Sequence, residues 1–196
     1  MKSPRLVGLI VAAAAMVAAL TAPRISLAGP PDIDEGREIS CLALTIYHEA
    51  RGESERGKLA VGHVVMNRTR SGLFPADVCD VVKEGGQQYH RCQFSWWCDG
   101  LSDRPKDEAA LRESLWLAEQ IYYGCTRDPT AGALWYHSTE VKPSWSKSLG
   151  PGKRIDRQVF YRGDLNRLAP IAASLTAGTQ CPPATPAHAS TILAGG

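Results

Sequence analysis

The sequence predicts an α+β domain dominated by helices, with a short β element. Three observations carry this. Apolar residues recur at helical spacing over residues 38–51, 56–70 and 106–123. Two short runs rich in aromatic and branched residues follow, at 133–137 and 158–162. The 196 residues are 44% hydrophobic and 21% charged, which is enough apolar material for one sizeable core. That composition excludes a mostly disordered chain, a coiled coil, a collagen and a multi-span membrane protein.

Lys2 and Arg5 precede an uncharged run of 17 residues, Leu6 to Ala22, and Ser26-Leu27-Ala28 then places small residues where a signal peptidase reads. Residues 1–28 are therefore expected to be a secretory signal cleaved after Ala28, and contact with the membrane is expected only through it. An uncleaved anchor is the alternative, although the run is short for a bilayer that needs roughly 20 apolar residues. The protein is then exported, to the periplasm, the cell envelope or the medium. Without residues 1–28 the chain holds 19 basic and 20 acidic residues, so its body is near neutral. Nucleic acid is not expected as a partner, because phosphate binding needs clustered positive charge.

Residues 29–37, rich in Gly and Pro, read as a flexible lead-in. In the first helix Ile39, Leu42, Ile46 and Ala50 recur on one side. The second offers Leu59, Ala60, Val64 and Met66 to a core and stops at Ser71-Gly72. A polar stretch around Gly85-Gly86-Gln87-Gln88 leads to a cysteine-bounded loop. Leu111, Leu115, Ala118 and Tyr122 stripe the third helix, which Gly124 ends. Asp128-Pro129-Thr130 is a turn. Residues 164–196 are a low-complexity tail without apolar period.

Six cysteines, Cys41, Cys79, Cys92, Cys98, Cys125 and Cys181, all follow the signal. In an exported chain an even number reads first as disulfides, and 15 pairings are open for six. Cys92 and Cys98 are the favoured pair, since they would close one short loop. A zinc site competes for the same residues. The chain lacks C-x-x-C and H-x-x-x-H spacings, so no metal or other cofactor is expected.

Glu49 is the most informative residue. Ile39, Leu42, Ile46, Glu49 and Glu53 are spaced three, four, three and four apart, which places them on one helical stripe. Three are apolar, so Glu49 faces the core or a cleft. Desolvation would raise its pKa toward that of a general acid working near neutral pH. A buried ion pair with an arginine would explain the same position.

Several motifs occur in order. Tyr47-His48-Glu49-Ala50-Arg51-Gly52-Glu53 is followed by Ala60-Val61-Gly62-His63-Val64-Val65-Met66-Asn67-Arg68. Then come Phe74-Pro75-Ala76-Asp77-Val78-Cys79-Asp80-Val81-Val82, Cys92-Gln93-Phe94-Ser95-Trp96 and Asp99-Gly100. Asp128-Pro129-Thr130-Ala131-Gly132-Ala133, Tyr136-His137 and Val159-Phe160-Tyr161 complete the set. Together they resemble the SleB-type cell wall hydrolases, the spore-cortex-lytic enzyme family, over roughly residues 38–162. The resemblance implies a catalytic domain at residues 38–163 with a lysozyme- and lytic-transglycosylase-like fold. It implies cleavage of glycosidic bonds in peptidoglycan, with Glu49 as the general acid. The chain differs from the spore enzymes in carrying no separate repeat-type wall-binding domain and in its extra cysteines, Cys125 and Cys181, so ordinary wall glycan is as good a substrate as spore cortex.

Glycosidic cleavage needs an acid for the leaving oxygen and stabilisation of an oxocarbenium-like transition state. A lytic transglycosylase manages with one carboxylate, since the sugar's 6-hydroxyl attacks. This chemistry is favoured here. Glu53 is the possible second carboxylate, or else a surface charge or a partner for Arg51. Asp99 and Asp128 are read as turn formers. Gln93, Phe94, Ser95, Trp96, Tyr136, His137 and Tyr161 are candidates for binding the glycan strand. Phe160 and Trp135 are assigned to the core, and His48 and His63 to packing or surface. Asn67-Arg68-Thr69 is a chance glycosylation sequon inside a helix. A monomer is expected. The competing classes are a non-catalytic peptidoglycan-binding module, a zinc-dependent wall amidase or peptidase, and a thiol peptidase, the last weakened by the use of the cysteines in disulfides.

Overall fold

The structure, a computed structural model, describes residues 34–86, 91–163 and Cys181. The expected signal sequence and nearly all of the expected tail lie outside the described residues. Four helices precede a small sheet: α1 (Glu35–Ala50), α2 (Glu55–Ser71), α3 (Val78–Val82) and α4 (Glu108–Tyr122). Strands β1 (Trp135–Ser138), β2 (Lys153–Ile155) and β3 (Gln158–Tyr161) form an antiparallel sheet in the order β1-β3-β2. Short 3₁₀ turns occupy Ser95–Trp97 and Ser144–Ser148. The helix-dominated α+β class expected from the sequence is the observed one.

Helix α1 starts three residues before the expected position. Asp34 caps it, accepting a hydrogen bond from the Arg37 amide at 3.1 Å, and Glu35 and Glu38 lie in the first turn, where the helix dipole favours acids. Residues 35–37 therefore belong to the helix and not to a flexible lead-in. Helix α2 has Ser54 as its cap and ends at Gly72, which adopts φ 71°. Helix α3 and strand β2 were not expected. Five residues are too few to show a helical period, and Lys153-Arg154-Ile155 is a mostly exposed edge strand without alternating apolar residues.

Two apolar clusters hold these elements. Ile39, Leu42 and Ile46 of α1 meet Val65 of α2 and Leu115, Leu117, Ala118 and Ile121 of α4. The helices cross closely at Gly62: a Cβ there would lie 2.5 Å from Ile121 Cδ1 and 3.1 Å from Ile46 Cδ1. The second cluster joins the sheet to the helices through Ala50, Ala60, Val61, Val64, Ala133, Ile155 and Phe160. The end of α1 thus abuts the sheet.

All six cysteines are paired, as Cys41–Cys79, Cys92–Cys98 and Cys125–Cys181. The first ties α1 to α3. The last anchors residue 181 of the tail just beyond α4, so that part of the tail is tethered to the domain.

Candidate active site

Helix α1 delivers Glu49 one residue before it stops. The chain turns at Arg51-Gly52, and Arg51 folds back to donate to the Tyr47 hydroxyl at 2.8 Å. The sheet approaches from the other side. Tyr136 of β1 donates its hydroxyl to Glu49 Oε2 at 3.0 Å, and Gln158 Nε2 of β3 donates to the Glu49 main-chain oxygen at 3.1 Å. Between them lies a cleft of about 390 Å³, lined by Glu49, Tyr136 and Gln158 with His48, Glu53, Ser95, Ser138, Glu140 and Arg157.

Burial pushes the Glu49 carboxyl up from its ordinary pKa, and the Tyr136 hydrogen bond and the charge of Arg68 pull part of the way back. Burial, together with Glu49 beside it, raises the Tyr136 hydroxyl well above its usual range, so Tyr136 remains a donor. Arg68 is buried. Its Nε donates to the Leu134 carbonyl at 2.8 Å, and its guanidinium lies 5.0 Å from the Phe74 ring centre and 5.5 Å from that of Phe94. The cleft therefore presents a desolvated carboxyl and a phenol donor, with the buried Arg68 cation acting on the carboxyl from outside the cleft lining.

Glu53 lies beyond the end of α1, so the helical count does not extend to it. Its partner is Arg157, not Arg51. Arg157 Nη2 and Nε lie 2.7 and 2.8 Å from Oε1, and the Arg157 amide donates to Oε2 at 3.2 Å. Arg157 also donates to the Gly52 carbonyl at 3.2 Å. Its neighbour Asp156, at φ 48°, accepts from the amide and hydroxyl of Ser54 at 3.0 and 2.5 Å. The β2–β3 turn thus clamps the link between α1 and α2, directly behind Glu49.

Of the residues expected at the glycan, Ser95 and Tyr136 line the cleft. Gln93 is exposed elsewhere and donates weakly to Glu84 at 3.4 Å. Phe94 is in the core, against Arg68. Trp96 is also buried, and its ring stacks on His48, which forms the cleft wall in its place, with centroids 4.6 Å apart at 18°. His48 Nε2 donates to the Asp103 carbonyl at 3.1 Å. His137 and Tyr161 lie on the opposite face of the sheet. Pairing sets Tyr136 beside Phe160 and Ser138 beside Gln158, so the intervening residues point away. There His137 Nδ1 donates to the Ser138 carbonyl at 2.7 Å, and Tyr161 donates its hydroxyl to His137 Nε2 at 2.9 Å.

Asp99 and Asp128 serve turns. Asp99 accepts the Leu101 amide at 2.8 Å, and Asp128 accepts the amides of Thr130 and Gly132 at 2.7 Å each. Asn67 of the sequon is buried and donates to Asp128 at 3.0 Å. His63 is buried against Thr126, 2.9 Å away, and burial lowers its pKa. Among the described residues no three His, Cys, Asp or Glu side chains are grouped to hold a metal ion. Sequence reasoning missed His48, Ser138, Glu140, Arg157 and Gln158 as cleft residues.

Residues 52–161 match the family model described as Cell Wall Hydrolase, which begins three residues after Glu49. A spore cortex-lytic enzyme of Halalkalibacterium halodurans is 32% identical over 124 residues, covering 63% of this chain and 34% of that protein. Its counterpart in Bacillus subtilis is 32% identical over 124 residues, covering 63% and 37%. The chain thus spans about a third of the length of these relatives. The crystal structure of the catalytic domain of Bacillus cereus SleB superposes with TM-score 0.50 at 26% identity, covering 67% of this chain and 94% of that one. The catalytic domain of the germination-specific lytic transglycosylase SleB from Bacillus anthracis gives TM-score 0.50 at 27% identity, covering 67% and 98%. With a family match across most of its described residues and two SleB catalytic domains sharing its fold, the chain belongs to the SleB-type cell wall hydrolase family.

Proposed function

We propose that this protein cleaves glycosidic bonds of peptidoglycan as a lytic transglycosylase, with Glu49 as its acid and base. The observation that carries this reading is a carboxyl raised in pKa by burial yet open to a cleft and held by Tyr136. Protonated Glu49 gives its proton to the bridging oxygen as the C1–O bond breaks. The positive charge that develops at C1 lies near the new carboxylate. Glu49 then takes the proton of the same sugar's 6-hydroxyl as that oxygen bonds to C1, closing an anhydro ring. No water is consumed, and Glu49 ends protonated.

Glu53 supports this economy. Its charge is neutralised by Arg157, so it suits a positioning role better than that of nucleophile or base. The three disulfides fit an exported protein working outside the cytosol.

Purified peptidoglycan cast in a gel tests the class. Clearing is expected, and it should persist with chelator. An uncleared gel would mean a binding module, and loss of clearing under chelator would mean a metal-dependent amidase. A subtler variant tests the clamp. Arg157→Ala should leave the fold intact and lower the lytic rate about 10- to 100-fold, because small displacements of a catalytic group are costly. Paired lysis rates and thermal melts check this, and an unchanged rate would remove Arg157 from the account.

A further inference from the structure

A second cavity, of about 320 Å³, opens on the sheet outside the Glu49 cleft. Ala131, Leu149, Pro151 and Phe160 supply apolar wall, and Lys153 and Arg162 contribute positive charge. Both cations are exposed, and neither is in an ion pair among the described residues. They belong to a locally basic stretch: residues 141–155 contain Lys142, Lys147, Lys153 and Arg154 and no acid, in a chain of net charge only +2.

Sheet register links this cavity to the cleft. Lys153 pairs with Phe160, so both share a face of the sheet. Gln158, which lines the cleft, stands two residues earlier on that face, roughly 7 Å along the strand. A small apolar pocket flanked by unpaired cations suits a short peptide of small side chains with free carboxylates. Peptidoglycan carries such a peptide as a branch from its glycan, with alanyl methyls and several carboxylates.

We propose that this cavity is a subsite for the acidic stem peptide of the substrate. Lys153 and Arg162 meet the peptide's carboxylates, and the walls around Leu149, Pro151 and Phe160 take its methyl groups. The inference rests on the proposed reading that the glycan occupies the Glu49 cleft.

The test reads binding without turnover. Glu49→Gln protein is sedimented with intact purified peptidoglycan and with the same material stripped of stem peptides by an amidase. Binding to intact material should be tighter by roughly threefold to tenfold, the yield of two partly exposed ion pairs, and the excess should vanish in high salt. Lys153→Glu/Arg162→Glu should abolish the excess and leave binding to stripped glycan unchanged. Lys153→Ala/Arg162→Ala serves if charge reversal impairs folding. Equal binding of the unreversed protein to both materials would overturn the proposal. So would a preference that survives in the variants, or variants that bind both materials equally poorly. If stems are preferred but wild-type protein lyses no wall, the subsite stands and the glycosidase reading falls. If lysis is normal without preference, only the subsite falls.

Discussion

Glu49→Gln is expected to lower wall lysis by about 10²- to 10⁴-fold, the contribution of a positioned general acid, in a protein that still folds. The amide keeps the shape and can still accept from Tyr136, but it has no proton to transfer. The stability effect has a definite sign. Burial holds the Glu49 pKa above its unfolded value, so between the two values the native state binds more protons than the unfolded state. Wild-type stability therefore falls as pH rises through that window, and the full penalty applies above the native pKa. The glutamine variant lacks this loss, and at neutral pH it should melt no lower than wild type. Lysis by wild type should fall as pH rises through the native pKa, because the proposed reaction starts from the acid form. A structural ion pair would behave differently: breaking it leaves an unpaired buried charge and costs about 3–5 kcal/mol. Lysis assays and melts at several pH values on the one variant separate these outcomes.

A large effect on stability is expected from the Cys41–Cys79 disulfide, which ties α1 to α3. It joins residues 38 apart, and releasing a loop of that length costs about 4 kcal/mol on the chain-entropy scale. Cys79 is completely buried, and its amide donates to the buried carboxylate of Glu38 at 3.1 Å, so the bridge holds α3 against the start of α1. Cys41→Ala/Cys79→Ala should lower the unfolding free energy by that amount in non-reducing denaturant titrations. Cys92→Ala/Cys98→Ala, with a separation of 6, should cost only about 2 kcal/mol. An equal or reversed order of the two losses would contradict this.

Much of the site was legible because α1 writes its geometry in a regular period. Ile39, Leu42 and Ile46 are buried as their spacing requires, and Glu49 continues their stripe to the cleft. The count failed one step later, at Glu53, because the helix stops at Ala50 and the chain turns. Arg157 and Gln158 were out of reach for another reason. They stand 104 and 109 residues from the groups they hold, and no local pattern encodes a contact of that separation. The aromatic residues misled in a consistent way. Phe94 and Trp96 sit in a short disulfide-closed loop and look available to sugars, yet Arg68 and His48 cover their faces. His137 and Tyr161 fell to the two-residue alternation of strands, since only the register shows which face meets α1.

Mass spectrometry of the fragments released from purified peptidoglycan is the most direct measurement of the central claim. The expected products are glycan fragments with anhydro ends and intact stem peptides, absent when Glu49→Gln protein replaces wild type. Reducing ends would make the enzyme a hydrolase that activates water, freed peptides would make it an amidase or peptidase, and anhydro fragments from a well-folded Glu49→Gln protein would contradict the assignment of Glu49.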